Sequence, residues 1–156
     1  MSGSLVDTLL SDTVTRIAAA VPDDMYAESN AFVHDDNANS EEGLLTGHSV
    51  TRRFVVLTDG GFKLMPPIGQ GTEWSEIETS FDVAVAYQIG RSSVSTAQQL
   101  ILKDRDRLIY ELTRTPVYPA GLIRRQVTGA GLEFAEDGGV AVLRLSLALR
   151  YRPSFA

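Results

Sequence analysis

Hydrophobic and polar positions alternate most regularly near the end of the chain. Leu143, Leu145, Leu147, Leu149 and Tyr151 fall on one parity, and Arg144, Ser146, Ala148, Arg150 and Arg152 on the other. A period of two marks a β-strand with one buried and one wetter face. Over Gly139 to Pro153 such a strand would span roughly 40 Å, longer than the usual five or six residues. Other elements must pair with it or pack on its leucine face.

The same test, applied in order, divides the rest of the chain. Leu5, Val6, Leu9, Leu10, Thr13, Ile17 and Ala20 recur at three- and four-residue spacing, which predicts a helix over 5–20. Ser4 is its expected N-cap, with Asp7 three residues on, and Val21-Pro22 ends it. From Met25 to Val50 no period holds. That stretch reads as a long loop or arm, in which Phe32-Val33 and Leu44-Leu45 could form a weak hairpin or dock on a partner. Val50 to Thr58 predicts a strand closed by Asp59-Gly60-Gly61, Phe62 to Met65 a short one, and Trp74 to Ile89 a long alternating one. A second helix, capped by Ser92 or Ser93, carries the stripe Val94, Ala97, Ile101, Leu108 and Leu112 and stops near Arg114. Its centre, Lys103 to Arg107, is a charged turn that interrupts the stripe. Leu122 to Val127, a Gly129-Ala130-Gly131 turn, Leu132 to Ala135 and the hairpin signal Asp137-Gly138-Gly139 then lead into the last strand.

This order predicts one α+β domain over residues 1–156. A mixed, mostly antiparallel β-sheet carries two helices packed on one face, and a flexible acidic loop or arm spans 23–50 after the first helix. Strand–helix alternation of the kind that builds a doubly wound parallel sheet is missing.

Charge changes the picture in one place. The net charge is −6, but Asp23 to His48 holds seven acids and no Lys or Arg, so the remainder, with 13 acids against 14 bases, is nearly neutral. A nucleic-acid-gripping protein would show a concentrated basic patch instead. With no cysteine, disulfides, thiolate metal sites and cysteine nucleophiles are excluded. The N-terminus lacks a basic n-region and an 18-residue apolar run, so neither a signal peptide nor a membrane span is expected, and a cytoplasmic setting is.

Candidate chemistry is sparse. His34-Asp35-Asp36 offers an imidazole and two carboxylates to a metal, but adjacent loop residues seldom converge on one ion, and His48 is the one other histidine. A Ser-His-Asp triad lacks a Gly-x-Ser-x-Gly elbow. Glu76 and Glu78 share a strand face, where exposed charge is the ordinary reading. The Gly-rich stretches lack the Gly-Lys-Ser/Thr of a phosphate loop. Neither a catalytic residue nor a cofactor or metal site is therefore expected. Charged strips remain: Asp104 and Arg105 in the alternating helix centre, and Arg124, Arg125, Arg144, Arg150 and Arg152 on the C-terminal sheet. Both suit contact with a neighbouring subunit or partner.

Phe81–Ile89, Val94–Leu112 and Leu122–Tyr151, with the hairpin at Asp137-Gly138-Gly139 and the close Leu149-Arg150-Tyr151, together resemble the tail terminator (tail completion) proteins of long-tailed bacteriophages. The resemblance implies a non-enzymatic structural protein of the virion, assembled in the host cytoplasm as a homo-oligomer, usually a hexameric ring. Such a ring caps the major tail tube protein and docks the head–tail connector or neck proteins, and it works without a cofactor or membrane. It also implies that DNA passes through without specific binding, past a lumen-facing acidic loop holding Asp35, Asp36, Glu41 and Glu42. Two other classes fit the same elements. One is another head–tail joining or minor tail protein. The other is a small ligand-binding or enzymatic α+β protein with Trp74, Tyr87 and Tyr118 around a pocket.

Overall fold

The computed structural model describes residues 5–22, 31–35, 52–58, 61–65, 76–88, 94–114, 118–134 and 139–152. Their elements run α1 (Leu5–Ala19), β1 (Val33–His34), β2 (Arg53–Leu57), β3 (Phe62–Met65), β4 (Glu76–Gln88), α2 (Val94–Thr113), β5 (Leu122–Phe134) and β6 (Val140–Tyr151). The strands form one six-stranded sheet in the order β1-β2-β4-β6-β5, with β3 also on β4. Every pairing is antiparallel except β1 with β2, which is parallel. The expected α+β architecture is the observed one.

The last strand sits between the other two long ones. β6 pairs with β4 from Ile77↔Tyr151 to Gln88↔Val140, and with β5 from Leu122↔Tyr151 to Phe134↔Ala141. Its alternation is realised side by side with theirs. Leu143, Leu145, Leu147, Leu149 and Tyr151 are buried in one cluster with Phe81, Val83, Val85 and Tyr87 of β4. The helices cover that face. Leu9 and Ile17 of α1, with Ala97, Ile101, Leu108 and Leu112 of α2, complete the core at the spacing of a single helical stripe. A smaller cluster of Val55, Ala84, Ala86 and Val142 is buried on the opposite parity, so the centre of the sheet is apolar on both sides.

Two expectations are corrected. Gly129-Ala130-Gly131 is not a turn: β5 runs unbroken for 13 residues. Extra residues between Leu122 and Arg124 and between Val127 and Gly129 shift its register instead. Glycine signals a turn only where the backbone needs a left-handed φ, and here it does not. Of the hairpin expected of Phe32-Val33 and Leu44-Leu45, only the first half lies among the described residues. Phe32 is buried in the main core, and Val33 and His34 pair with Arg53 and Phe54. The first helix ends at Ala19 rather than Ala20, whose N–H donates to the Ile17 carbonyl at 3.1 Å in a tighter closing turn. The expected caps Ser4, Ser92 and Ser93, Leu44-Leu45 and the 135–138 turn lie outside the described residues.

Gly121 has a structural reason. Its φ is +90°, and a Cβ there would meet a Leu5 side-chain carbon at 3.1 Å and the Arg152 carbonyl at 3.2 Å. The Arg152 N–H donates to its carbonyl at 2.9 Å, which ties the start of β5 to the end of β6.

Candidate subunit interface and buried charges

The candidate interface residues divide into those facing out and those committed inward. Asp104 faces in. Ala97, Ile101, Leu108 and Leu112 recur every four residues but leave a gap at the middle of α2. Asp104 occupies that gap on the buried side. It accepts from Arg52 Nε at 2.8 Å, Arg52 Nη2 at 3.2 Å and the Tyr87 hydroxyl at 2.8 Å. Arg52 and Asp104 have no exposed surface. The guanidinium also lies 5.9 Å from the centre of the Phe32 ring. Burial, followed by the neighbouring Asp104 carboxylate, pushes the Tyr87 hydroxyl well above the usual tyrosine range, so it stays protonated and donates.

Arg52 holds its place with a left-handed backbone, φ +64°, which is uncommon for a side chain of this size. Its N–H donates to Ala86 O at 2.8 Å, and its carbonyl accepts from Val33 N at 3.0 Å. One residue thus ties β4, β1 and α2 together. As a surface strip, the Asp104–Arg105 pair is corrected: helical geometry turns these neighbours about 100° apart. Arg105 faces outward and pairs with Asp106 at 2.9 Å.

Arg125 is the second inward residue. It lies on the helix face of β5, opposite Leu149, and its Nη2 donates to Asp12 of α1 at 2.6 Å. Burial pulls its pKa below the ordinary arginine value, and the hydrogen bond to Asp12 opposes that shift. Asp12 also accepts from Arg16 Nε at 3.0 Å. Arg16 reaches on to the Arg114 carbonyl at 3.1 Å, at the C-terminus of α2 where carbonyls lack helical partners, and lies over the half-buried Tyr118 ring. Here the charges join helix to helix and helix to sheet within one chain.

The remaining candidate arginines face the side of the sheet away from the helices. Arg124 is exposed, stands opposite Arg150 and donates to Gln126. Arg150 and Arg152 both contact Glu76, which is buried, so Glu76 is not the exposed strand charge that its alternation suggests. Arg144 donates to Glu133 at 2.6 Å on the surface. Asp35 is an ion-paired residue and not a bare acid: Arg53 holds it at 2.9 Å, with little exposure of either side chain. Asp36, Glu41 and Glu42 lie outside the described residues, as does Trp74.

Among the described residues no group of three His, Asp or Glu side chains could hold a metal ion. A cleft of about 470 Å³ opens between α1 and the β1–β2 edge, with His34 and Asp35 beside Leu10, Val14, Val55 and Val56. Tyr87 belongs to the buried triad and Tyr118 to the α1–α2 junction, so these two do not wall a shared pocket. No helix among the described residues is long and apolar enough to cross a membrane.

A mostly antiparallel sheet with both helices on one face is the scaffold that carries these charges. The scaffold is shared with a solved structure. A chain of the virion of a native gene transfer agent (GTA) particle aligns with a TM-score of 0.58 over 97% of this chain and 99% of that one, at 14% identity. The likeness therefore runs through both helices and the sheet and shows a shared fold. No family model and no curated protein matches the chain.

The buried Arg52–Asp104–Tyr87 group is what sequence reasoning missed. A signal was present, because Asp104 lies three residues after Ile101 and four before Leu108, on the apolar stripe itself. A charge in that register demands a partner.

Proposed function

We propose that this protein is a structural component of a phage-like virion, a ring-forming tail terminator that ends the tail tube and joins it to the head connector. The observation that carries the reading is the end-to-end alignment with a chain of a gene transfer agent virion, covering nearly all of both chains. The sequence resemblance to tail terminators, met independently, supports the finer role. In this reading Arg105, Arg124, Arg144, Arg150 and Arg152 lie toward neighbouring subunits or the tube. Asp36, Glu41 and Glu42 line the lumen, where like charge keeps DNA phosphates from adhering. The protein acts by binding and shape, without catalysis.

Light scattering with negative-stain imaging tests it. A ring with an open channel and a mass near 102 kDa, six times the 17.0 kDa chain, is the expected result. A monomer that neither assembles alone nor binds tail tubes overturns it. A ring that binds the connector but leaves tube length uncontrolled would move the protein to another neck position.

A further inference from the structure

The two sides of the sheet end differently. On one side, β3 presents Phe62 and Leu64 at 66% and 61% exposure, with Lys63 exposed between them. On the other, β5 is 13 residues long and exposed from Thr128 to Gly131. Neither outer edge has a strand partner among the described residues. Proteins usually guard such edges with charge, proline or short length. From Thr128 to Leu132, β5 carries neither charge nor proline. Gly129 and Gly131 weaken a strand; Gly129 flanks the register shift after Val127, while nothing among the described residues calls for Gly131. Neither takes a left-handed φ, and a Cβ at either would meet no atom within 4 Å.

We propose that the outer edge of β5 in one subunit pairs with the outer edge of β3 in a second copy, continuing the sheet head to tail. The inference rests on the ring reading in one respect, that the occupant is another copy of this chain. Topology then supplies the geometry. β3 and β5 run in opposite directions, because β3 and β6 both oppose β4 while β5 opposes β6. A head-to-tail repeat therefore brings them together antiparallel, as in the rest of the sheet. Faces match as well. Phe62 and Leu64 stand opposite Thr79 and Ile77 on the helix side, and Ala130 and Leu132 stand opposite Leu145 and Leu143 on that same side. Setting Leu64 against Ala130 places Phe62 against Leu132 and Lys63 against Gly131. The exposed Lys63 then lies diagonal to the exposed Glu133, within reach of an ion pair. A heterologous contact of this kind closes into a ring or extends as a filament, and the rotation per subunit decides which.

The chain has no cysteine, which gives a clean test. In the full-length double variant Leu64→Cys/Ala130→Cys, paired edges bring Cα atoms to about 5 Å, within disulfide range. Inside one subunit β4 and β6 separate these strands by roughly 14 Å, so a link must be between copies. Oxidation is expected to give a covalent ladder extending beyond the dimer. Gly131→Lys, which restores a guard charge opposite Lys63, is expected to abolish that ladder in the same background while the thermal unfolding of the subunit stays unchanged. A ring of native mass without the ladder would overturn this edge and leave the ring reading standing. A monomer without the ladder would overturn this edge, and one that also fails to bind tail tubes would overturn the ring reading with it. Linkage through Leu64→Cys alone or Ala130→Cys alone would show like edges meeting and overturn the head-to-tail pairing.

Discussion

Arg52 and Asp104 join through two hydrogen bonds, at 2.8 and 3.2 Å, with no exposed surface on either residue. Removing one member strands the other charge in the core. Asp104→Asn is expected to destabilise the fold by about 3–5 kcal/mol, whereas Arg52→Met/Asp104→Leu recovers much of that loss. Arg105→Ala, one residue along on the outer face, should shift stability by no more than about 0.5 kcal/mol. Urea unfolding of the three variants separates these outcomes.

Tyr87 makes stability fall at alkaline pH. Its folded-state pKa is raised by burial and by Asp104, while the unfolded chain ionises near the ordinary value of about 10. The unfolded state therefore releases its proton first. The contribution is fully present below about pH 10 and is lost as pH rises toward the folded value. Unfolding free energies from pH 8 to 11.5 should fall less steeply for Tyr87→Phe than for the natural chain. Equal slopes would count against the assignment.

Arg125 and Arg144 should respond differently to salt. Arg125 is buried against Asp12, and Arg144 pairs with Glu133 on the surface. Arg125→Met is expected to cost about 1–3 kcal/mol, and the loss should persist in 1 M salt. Arg144→Met should cost under about 1 kcal/mol at low salt and nothing measurable at high salt.

The core strand offers a control with no charge in it. Leu147 stands between Phe81 and Val127 and is buried, while its neighbour Ser146 is exposed. Leu147→Ala should lose about 2–5 kcal/mol through transfer and cavity terms, and Ser146→Ala about 0.5 kcal/mol or less. Calorimetric melting distinguishes them directly.

The sequence made β4, β6 and both helices legible, because each buries one face and the pattern of Leu143 to Tyr151 or Leu9 to Ile17 states which. β5 was half legible. Its bulge changes parity between Val127 and Ala130, so alternation fails across Gly129 although the strand continues. β1 was hidden because two residues hold no period; their partner β2 defines them. Asp104 and Arg125 were placed on surfaces because charge is usually solvated. Only the partners Arg52 and Asp12, distant in sequence, make their burial tolerable. Interface geometry stayed out of reach, since a pattern within one chain says which face is apolar and nothing of what meets it.

The parallel pairing of β1 with β2 has a consequence for how this chain can change. The chain leaves β1 at Asp35, held by Arg53, and enters β2 from Arg52, held by Asp104; in a parallel pair these two points lie at opposite ends. A connection between parallel neighbours must run back along the pair, so it has a minimum length that a hairpin does not. Doubling its length would add only about 0.6 kcal/mol of closure entropy. Insertions between these two anchors are thus expected to cost the scaffold little, and deletions that leave the connection too short to cross are expected to break the β1–β2 pair.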